Sequence, residues 1–327
     1  MQQRRLGQTG PMISAIGLGC MSFGGIFGAT DTAESFACLD AALDAGITFY
    51  DTANIYGKGI SETVLGEWLA SRKPDVVLAT KAGVATTPTR HFDNSATYLR
   101  AELTASLQRL GRERVELFYI HRREAARPIE EVVGTLKDLI DEGLIGGYGL
   151  SEISPGTLRR AHAVHPCAAV QNEYSLWTRL PDLGLGQTCA QLGTTLVAFS
   201  PLARGVFGRE VFRPETLPKG DFRLNIPRFH DPDWSLNRVR IDAFRALADS
   251  LNLTVPALAL AWVLDQAEHI VPIPGTRTAD HLNDWARADE VRFTPEMRRA
   301  LARVLPVGWA HGDRYGHDGA AQVERYC

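Results

Sequence analysis

No apolar run in this 327-residue chain approaches the ~20 residues needed to cross a bilayer, so a membrane span is not expected. The opening stretch MQQRRLGQTG places no apolar core behind its two arginines, which argues against a secretory leader. Lysine and arginine form no run and no stripe interleaved with aromatics, and the formal net charge is only -3. The electrostatic footprint of a nucleic-acid binder or a membrane-surface helix is therefore missing. The five cysteines, Cys20, Cys38, Cys167, Cys189 and Cys327, are odd in number, widely spaced and without a C-x-x-C pair. That pattern suits neither a disulfide framework nor a zinc site, and it predicts reduced thiols in a cytoplasmic protein with no metal. Also lacking are a G-x-G-x-x-G fingerprint after the first strand and a Walker A loop; the glycines of residues 17–25 (GLGCMSFGG) have the wrong spacing. No internal repeat or low-complexity tract is present.

What is present is an ordinary globular composition, 45% hydrophobic and 22% charged, able to bury one large core. Brief apolar runs of strand length occupy residues 14–20, 47–52, 76–81, 115–121, 146–151, 168–174, 195–201 and 270–274, with longer segments of helical period between them. In one of these segments Ile129, Val132, Val133, Leu136, Leu139 and Ile140 share a helical face, with Pro128 at the first position and Gly143 as a stop. In another, Leu99, Leu103, Leu107 and Leu110 follow Ser95 as a cap and end at Gly111. Strands alternating with crossover helices, eight times over, predict an α/β fold: a single-domain (β/α)₈ TIM barrel spanning residues 1–327. A long irregular loop is expected over residues 203–234, and a C-terminal extension over residues 304–327.

In such barrels the active site forms at the C-terminal ends of the strands, so polar residues that close apolar runs mark it. Asp51 ends ITFYD, Lys81 ends VVLATK, His121 ends VELFYIH, and Tyr56 lies shortly beyond Asp51 in DTANIYG. Tyrosine paired with lysine suits a reaction in which a neutral acid gives a proton to a developing alkoxide. A free phenol, with a pKa near ~10, holds its proton too tightly; an adjacent ammonium is expected to lower that value, and roughly a thousandfold gain in acidity represents about 4 kcal/mol. Asp51 is expected to keep Lys81 charged and aimed, and His121 to hydrogen-bond the carbonyl oxygen. Hydride has to come from a cofactor, since no side chain supplies it.

The strings FYDTANIYGKGISETVLGEWL, VVLATKAG, ELFYIHRRE, YGLSEIS, AVQNEYSLW, VAFSPLARG and PIPGTR resemble, in order and spacing, the aldo-keto reductases. SEIS and EYSLWTR are most similar to the branch of plant auxin-induced and perakine reductases and their bacterial relatives. The resemblance implies NADPH-dependent reduction of aldehydes or ketones, NAD(H) being the other cofactor admitted, and puts the family's catalytic tetrad on Asp51, Tyr56, Lys81 and His121. It also implies cofactor contacts from Cys20, Met21 and Asp51. Ser151 and Gln171 match the carboxamide-holding positions, and Phe199 the aromatic that stacks on the nicotinamide. Ser200, Pro201, Leu202 and Gly205 match the segment over the pyrophosphate. Pro274, Gly275, Thr276 and Arg277 match the loop around the 2'-phosphate, with His281 and Asp284 near the adenine. Glu152 stands where many members have asparagine, His281 replaces a frequent arginine or glutamine, and Asp284-Trp285 replaces Glu-Asn, so the preference for NADPH rests on Arg277.

Other readings stand beside this one. Lys81 on a third strand also suits a Schiff-base aldolase or related lyase, and a non-catalytic relative that senses bound nucleotide is a third class. His162 and His165 share a helical face without a third ligand and read as structural. Trp177, Arg122, Arg123 and Glu124, just beyond strand ends, line the substrate pocket or pack against one another. The segment HGDRYGHDG, residues 311–319, drapes over the pocket or stays mobile. The partner expected is a small-molecule carbonyl compound.

Overall fold

Period-two alternation decides which side chains enter the barrel. In the computed structural model, which describes every residue except Ala29 and Cys327, eight parallel strands lie side by side in chain order. They are β1 (Leu18–Gly19), β2 (Phe49–Asp51), β3 (Val77–Ala82), β4 (Leu117–Ile120), β5 (Tyr148–Ser151), β6 (Ala169–Glu173), β7 (Thr195–Phe199) and β8 (Ile270–Ile273). Seven fall inside the runs read from the sequence, and β3 extends one residue beyond its run, to Ala82. The ring closes where Gly17 and Gly19 donate their N–H groups to Pro272 O and Pro274 O, both at 2.9 Å. Glycine is needed there: a Cβ on Gly17 would lie 2.7 Å from the Phe49 ring.

Alternate residues, Phe49, Val77, Ala79, Leu117, Tyr119, Ala169, Val197, Val271 and Ile273, form one cluster inside the barrel. The residues between them, such as Tyr50, Leu78, Phe118, Leu150, Val170 and Leu196, belong to a second cluster beneath the helices. An antiparallel hairpin of Gln3–Arg5 with Met12–Ser14 adds Leu6 and Ile13 to the interior cluster.

The outer ring begins with α1 (Thr32–Asp44), α2 (Ile60–Arg72), α3 (Ala96–Leu110), α4 (Ile129–Asp141), α5 (Pro155–Val164) and α6 (Leu185–Leu192). It continues with α7 (Asp233–Ser250) and α8 (Val255–Gln266), both between β7 and β8. After β8 come α9 (Ala279–Asn283), α10 (Pro295–Val304) and α11 (His317–Ala320). In α3 the Ser95 hydroxyl accepts the Tyr98 N–H, and Gly111 ends the helix at φ 63°. In α4 the residues Ile129, Val132, Val133, Leu136 and Leu139 are buried, each burial worth roughly 1.5–3 kcal/mol. Pro128 sits one position before the helix, as its cap at ψ 131°, rather than in the first turn. Among the described residues no single helix is long and apolar enough to cross a membrane.

Residues 203–234, where a long loop is expected, join β7 to α7. The segment is a succession of short 3-10 turns, Ala203–Gly205, Pro214–Thr216, Phe222–Asn225 and Pro227–Phe229, and α7 already begins at Asp233. Buried aromatics hold it: Trp177 meets Phe229 edge-on at 5.5 Å between centroids and stacks on Trp309 at 5.8 Å. The chain after α10 is tied down as well, with Trp309 Nε1–H donating to Leu176 O at 2.7 Å. Cys20, Cys38, Cys167 and Cys189 are free, buried thiols; Cys327 lies outside the described residues.

Candidate active site

The alternation that puts Phe49, Ala79 and Tyr119 inside also aims Asp51, Lys81 and His121 inward at the strand ends. Lys81 is fully buried, and its ammonium donates to the Asp51 carboxylate, to Thr52 O at 2.9 Å and to the Tyr56 hydroxyl at 3.4 Å. All three ammonium donors are thereby committed. Tyr119, its neighbour in register on β4, lies with its ring centroid 5.7 Å from Nζ. Gln171 on β6 donates to the other Asp51 oxygen at 2.8 Å. Tyr56 stands in the turn Tyr56–Gly59, where Gly57, Lys58 and Gly59 all have positive φ. A Cβ on Gly57 would come within 2.7 Å of Gly24 Cα, so the turn packs directly on the loop after β1. The Tyr56 and His121 rings meet edge-on, 5.7 Å between centroids. Asp51, Lys81 and His121 at the strand ends and Tyr56 in the turn are thus one cluster.

Burial opposes the Lys81 charge, but Asp51 and then Tyr56 outweigh it and hold the ammonium above the ordinary lysine range. A lysine so held is a poor amine nucleophile, which removes support for the Schiff-base reading. For Tyr56 the expected direction is corrected: burial pushes the phenol up, Lys81 pulls it down without prevailing, and Asp51 adds to the rise. Half-buried and above the usual tyrosine range, it is a neutral phenol. His121 is pushed well below the usual imidazole range, first by burial and then by Arg122, Lys81 and Arg90. It is therefore neutral, and its Nδ1 is buried without a partner among the described residues.

The other residues singled out in the sequence occupy the ends of β5 to β8, α9 and the loop after β1. Ser151 and Gln171 are register partners on β5 and β6. Phe199, half-buried, ends β7 and packs against the interior cluster. Ser200, Ala203, Arg204 and Gly205 follow with positive φ, and the Arg223 guanidinium lies beside Gly205. Pro201 is buried and Leu202 half-buried. After Pro274, the exposed Gly275 bridges to Gly19, and Thr276 closes a small turn with Thr278. Arg277 reaches the loop after β1, since a Cβ on Gly28 would lie 2.6 Å from its Nη1. Met21 is half-buried there, whereas the Cys20 thiol is buried and directed to Leu18 O. His281 is exposed on α9, and Asp284 is clasped by Arg209.

Sequence reasoning missed a buried charge network at the ends of β5 and β6. Arg314, from the C-terminal chain, bonds Glu152 and Glu173, and Arg204 bonds Glu173 at 2.9 Å. Burial opposes the Glu173 charge, but Arg204, Arg314 and Arg228 hold it down to about 2. The period-two pattern of β6, with Gln171 inward, would have marked Glu173 as inward too. Glu152 turns its carboxylate to Arg314 and the Glu173 N–H, from a backbone at φ 55°. The HGDRYGHDG segment therefore drapes over the strand ends. Arg123 pairs with Glu324, Glu124 pairs with Arg127, and Trp177 belongs to the aromatic cluster, so these three pack against other parts of the chain. His162 accepts the Cys167 N–H at 3.3 Å, and the His165 carbonyl accepts from Tyr148.

The chain matches the model of the Aldo/keto reductase family over residues 15–305. It is 37% identical to a probable aldo-keto reductase 1 of Glycine max, over 96% of this chain and 92% of that protein. With an NADP(+) aldo-keto reductase of Schizosaccharomyces pombe it shares 34% identity, over 95% and 94%. Among solved structures, a glycerol dehydrogenase from Gluconobacter oxydans superposes with a TM-score of 0.85 at 28% identity, covering 93% of this chain and 94% of that one. The holo form of an aldo-keto reductase from Bacillus halodurans gives 0.78 at 25% identity, covering 95% and 98%.

Proposed function

Since the chain belongs to the aldo/keto reductase family, we propose that the cluster at its barrel mouth reduces aldehydes or ketones to alcohols with NADP(H), Tyr56 giving the proton. The observation that carries this assignment of roles is the single ammonium of Lys81 shared between Asp51 and the Tyr56 hydroxyl. NADP(H), when bound, supplies a hydride to the carbonyl carbon. Tyr56, a neutral phenol, donates its proton to the carbonyl oxygen as negative charge gathers there. The phenolate left behind is stabilised by Lys81, which Asp51 and Thr52 O hold in place. His121, neutral, offers a second donor to the same oxygen.

The residues present fit the cofactor. The Ser151 hydroxyl accepts from Arg122, which leaves its own O–H to donate to a carboxamide oxygen. Phe199 ends its strand with an aromatic ring, Ser200, Pro201, Leu202 and Gly205 supply backbone for a pyrophosphate, and Arg277, its guanidinium beside Gly28, supplies a fork for a 2'-phosphate. Pro274, Thr276, His281, Asp284, Cys20 and Met21 stand at the end of β8, at α9 and in the loop after β1.

Replacing Tyr56 by Phe removes only the hydroxyl. Carbonyl reduction is expected to fall by about 10²- to 10⁴-fold, while NADPH binding, read from the fluorescence of the bound dinucleotide, persists. Equal activity in the variant removes Tyr56 from the mechanism, and tight NADPH binding without turnover of any carbonyl compound by the native chain favours the nucleotide-sensing reading.

A further inference from the structure

The carboxylates gathered at the mouth are already engaged: Asp51 by Lys81, Glu124 by Arg127, Glu152 by Arg314, Glu173 by Arg204 and Arg314, and Glu324 by Arg123. Arg122, which directly follows His121, is different. Its Nη1 donates to His121 O at 2.6 Å and to the Ser151 hydroxyl at 3.1 Å, which uses both hydrogens of that nitrogen. Nε and Nη2 have no acceptor among the described residues, and no carboxylate lies within ion-pair distance. That edge of a guanidinium carries two parallel N–H groups, the fork that receives a carboxylate or phosphate side-on. The half-buried guanidinium is fixed at its other edge, so its open fork is presented in a set orientation.

A second cation reinforces the positive field. Among the described residues the Arg90 guanidinium makes one hydrogen bond, donated to Gln322 Oε1 at 3.2 Å. Its guanidinium is disfavoured by burial and by Arg122, and His121 feels both arginines. Tyr315 lies between Arg204 and Arg314, 4.6 and 4.8 Å from their guanidinium carbons, and its hydroxyl has no hydrogen-bond partner among the described residues. The mouth beside the proposed proton donor thus holds an oriented, unneutralised cation with a second one behind it.

We propose that the carbonyl substrate carries an anionic oxygen group, a carboxylate or a phosphate, and that Arg122 grips this group through its Nε–Nη2 edge. This rests on the carbonyl-reduction reading and adds the substrate class to it. Neutral carbonyl compounds fit the same catalytic cluster but leave the fork without an acceptor, so discrimination falls on KM rather than on kcat.

The test is steady-state reduction with NADPH by the full chain, using two matched pairs: para-formylbenzoate against its methyl ester, and pyridoxal phosphate against pyridoxal. The anionic member of at least one pair is expected to show kcat/KM about tenfold or more above its neutral partner. The pair that shows it distinguishes carboxylate from phosphate. In the native chain the preference shrinks as salt is raised, a readout that needs no variant. In Arg122→Gln the ratio falls toward one through KM, and Arg122→Lys restores it only in part because lysine lacks the fork. Ratios of one or below in both pairs, a preference indifferent to salt, or an unchanged ratio in a folded Arg122→Gln protein overturns the proposal while carbonyl reduction stands. Turnover of none of the four compounds, with NADPH bound, overturns carbonyl reduction and this inference with it.

Discussion

At Tyr56 two influences compete, and their balance sets the pH behaviour of the site. Burial and Asp51 raise the phenol, Lys81 lowers it, and the rise prevails. The acid therefore stays protonated until the pH exceeds the ordinary tyrosine value near ~10. His121, pushed well below its ordinary value near ~6.5, has already lost its charge there. Carbonyl reduction is expected to run flat from about pH 6 to about pH 9 and to fall only beyond that range, a profile obtained from kcat with carbonyl substrate in excess. A loss of activity centred near neutrality means that another group controls the step. The residue types of the cluster were legible in the sequence because Asp51, Lys81 and His121 each close an apolar run and Tyr56 follows shortly after the first of them. The direction of the tyrosine shift was not, because it depends on how much protein surrounds the phenol.

At the scale of elements, strand ends and a returning tail are held together by charge. Arg314 bridges Glu152 at the end of β5 and Glu173 at the end of β6, the same two strands that carry Ser151 and Gln171. Replacing Arg314 by Leu leaves buried carboxylates short of a partner, a change that costs about 3–5 kcal/mol in comparable buried pairs. The expected result is a lower melting temperature and faster proteolytic cleavage after α10, with NADPH affinity weakened; an unchanged cleavage rate counts against the tail being anchored there. The strands and the caps of α3 could be read from local pattern, since alternation, a serine cap and a terminal glycine are short-range signals. The packing within residues 203–234 could not be read locally, because Phe207 and Phe229 meet Trp177 and Phe244, which lie outside the segment.

For the whole molecule, the buried network makes stability depend on acid. Glu173 is held at about 2 in the folded chain, against ~4.3 for an unperturbed glutamate. Its stabilisation is complete above the unfolded value and is lost as the pH falls toward the folded one, a difference of about 3 kcal/mol. Urea unfolding is expected to show stability declining from about pH 5 downward, with a shallower decline in Glu173→Gln; parallel slopes in the two proteins refute the assignment. By itself the sequence determined the eight strands and the residue types at their ends, because a short apolar run closed by a polar residue is a property of neighbouring residues. Only the tertiary structure decided that one ammonium serves both a carboxylate and a phenol, that the C-terminal chain folds back onto β5 and β6, and that Arg122 keeps an open edge, because each depends on closing a ring of segments distant along the chain.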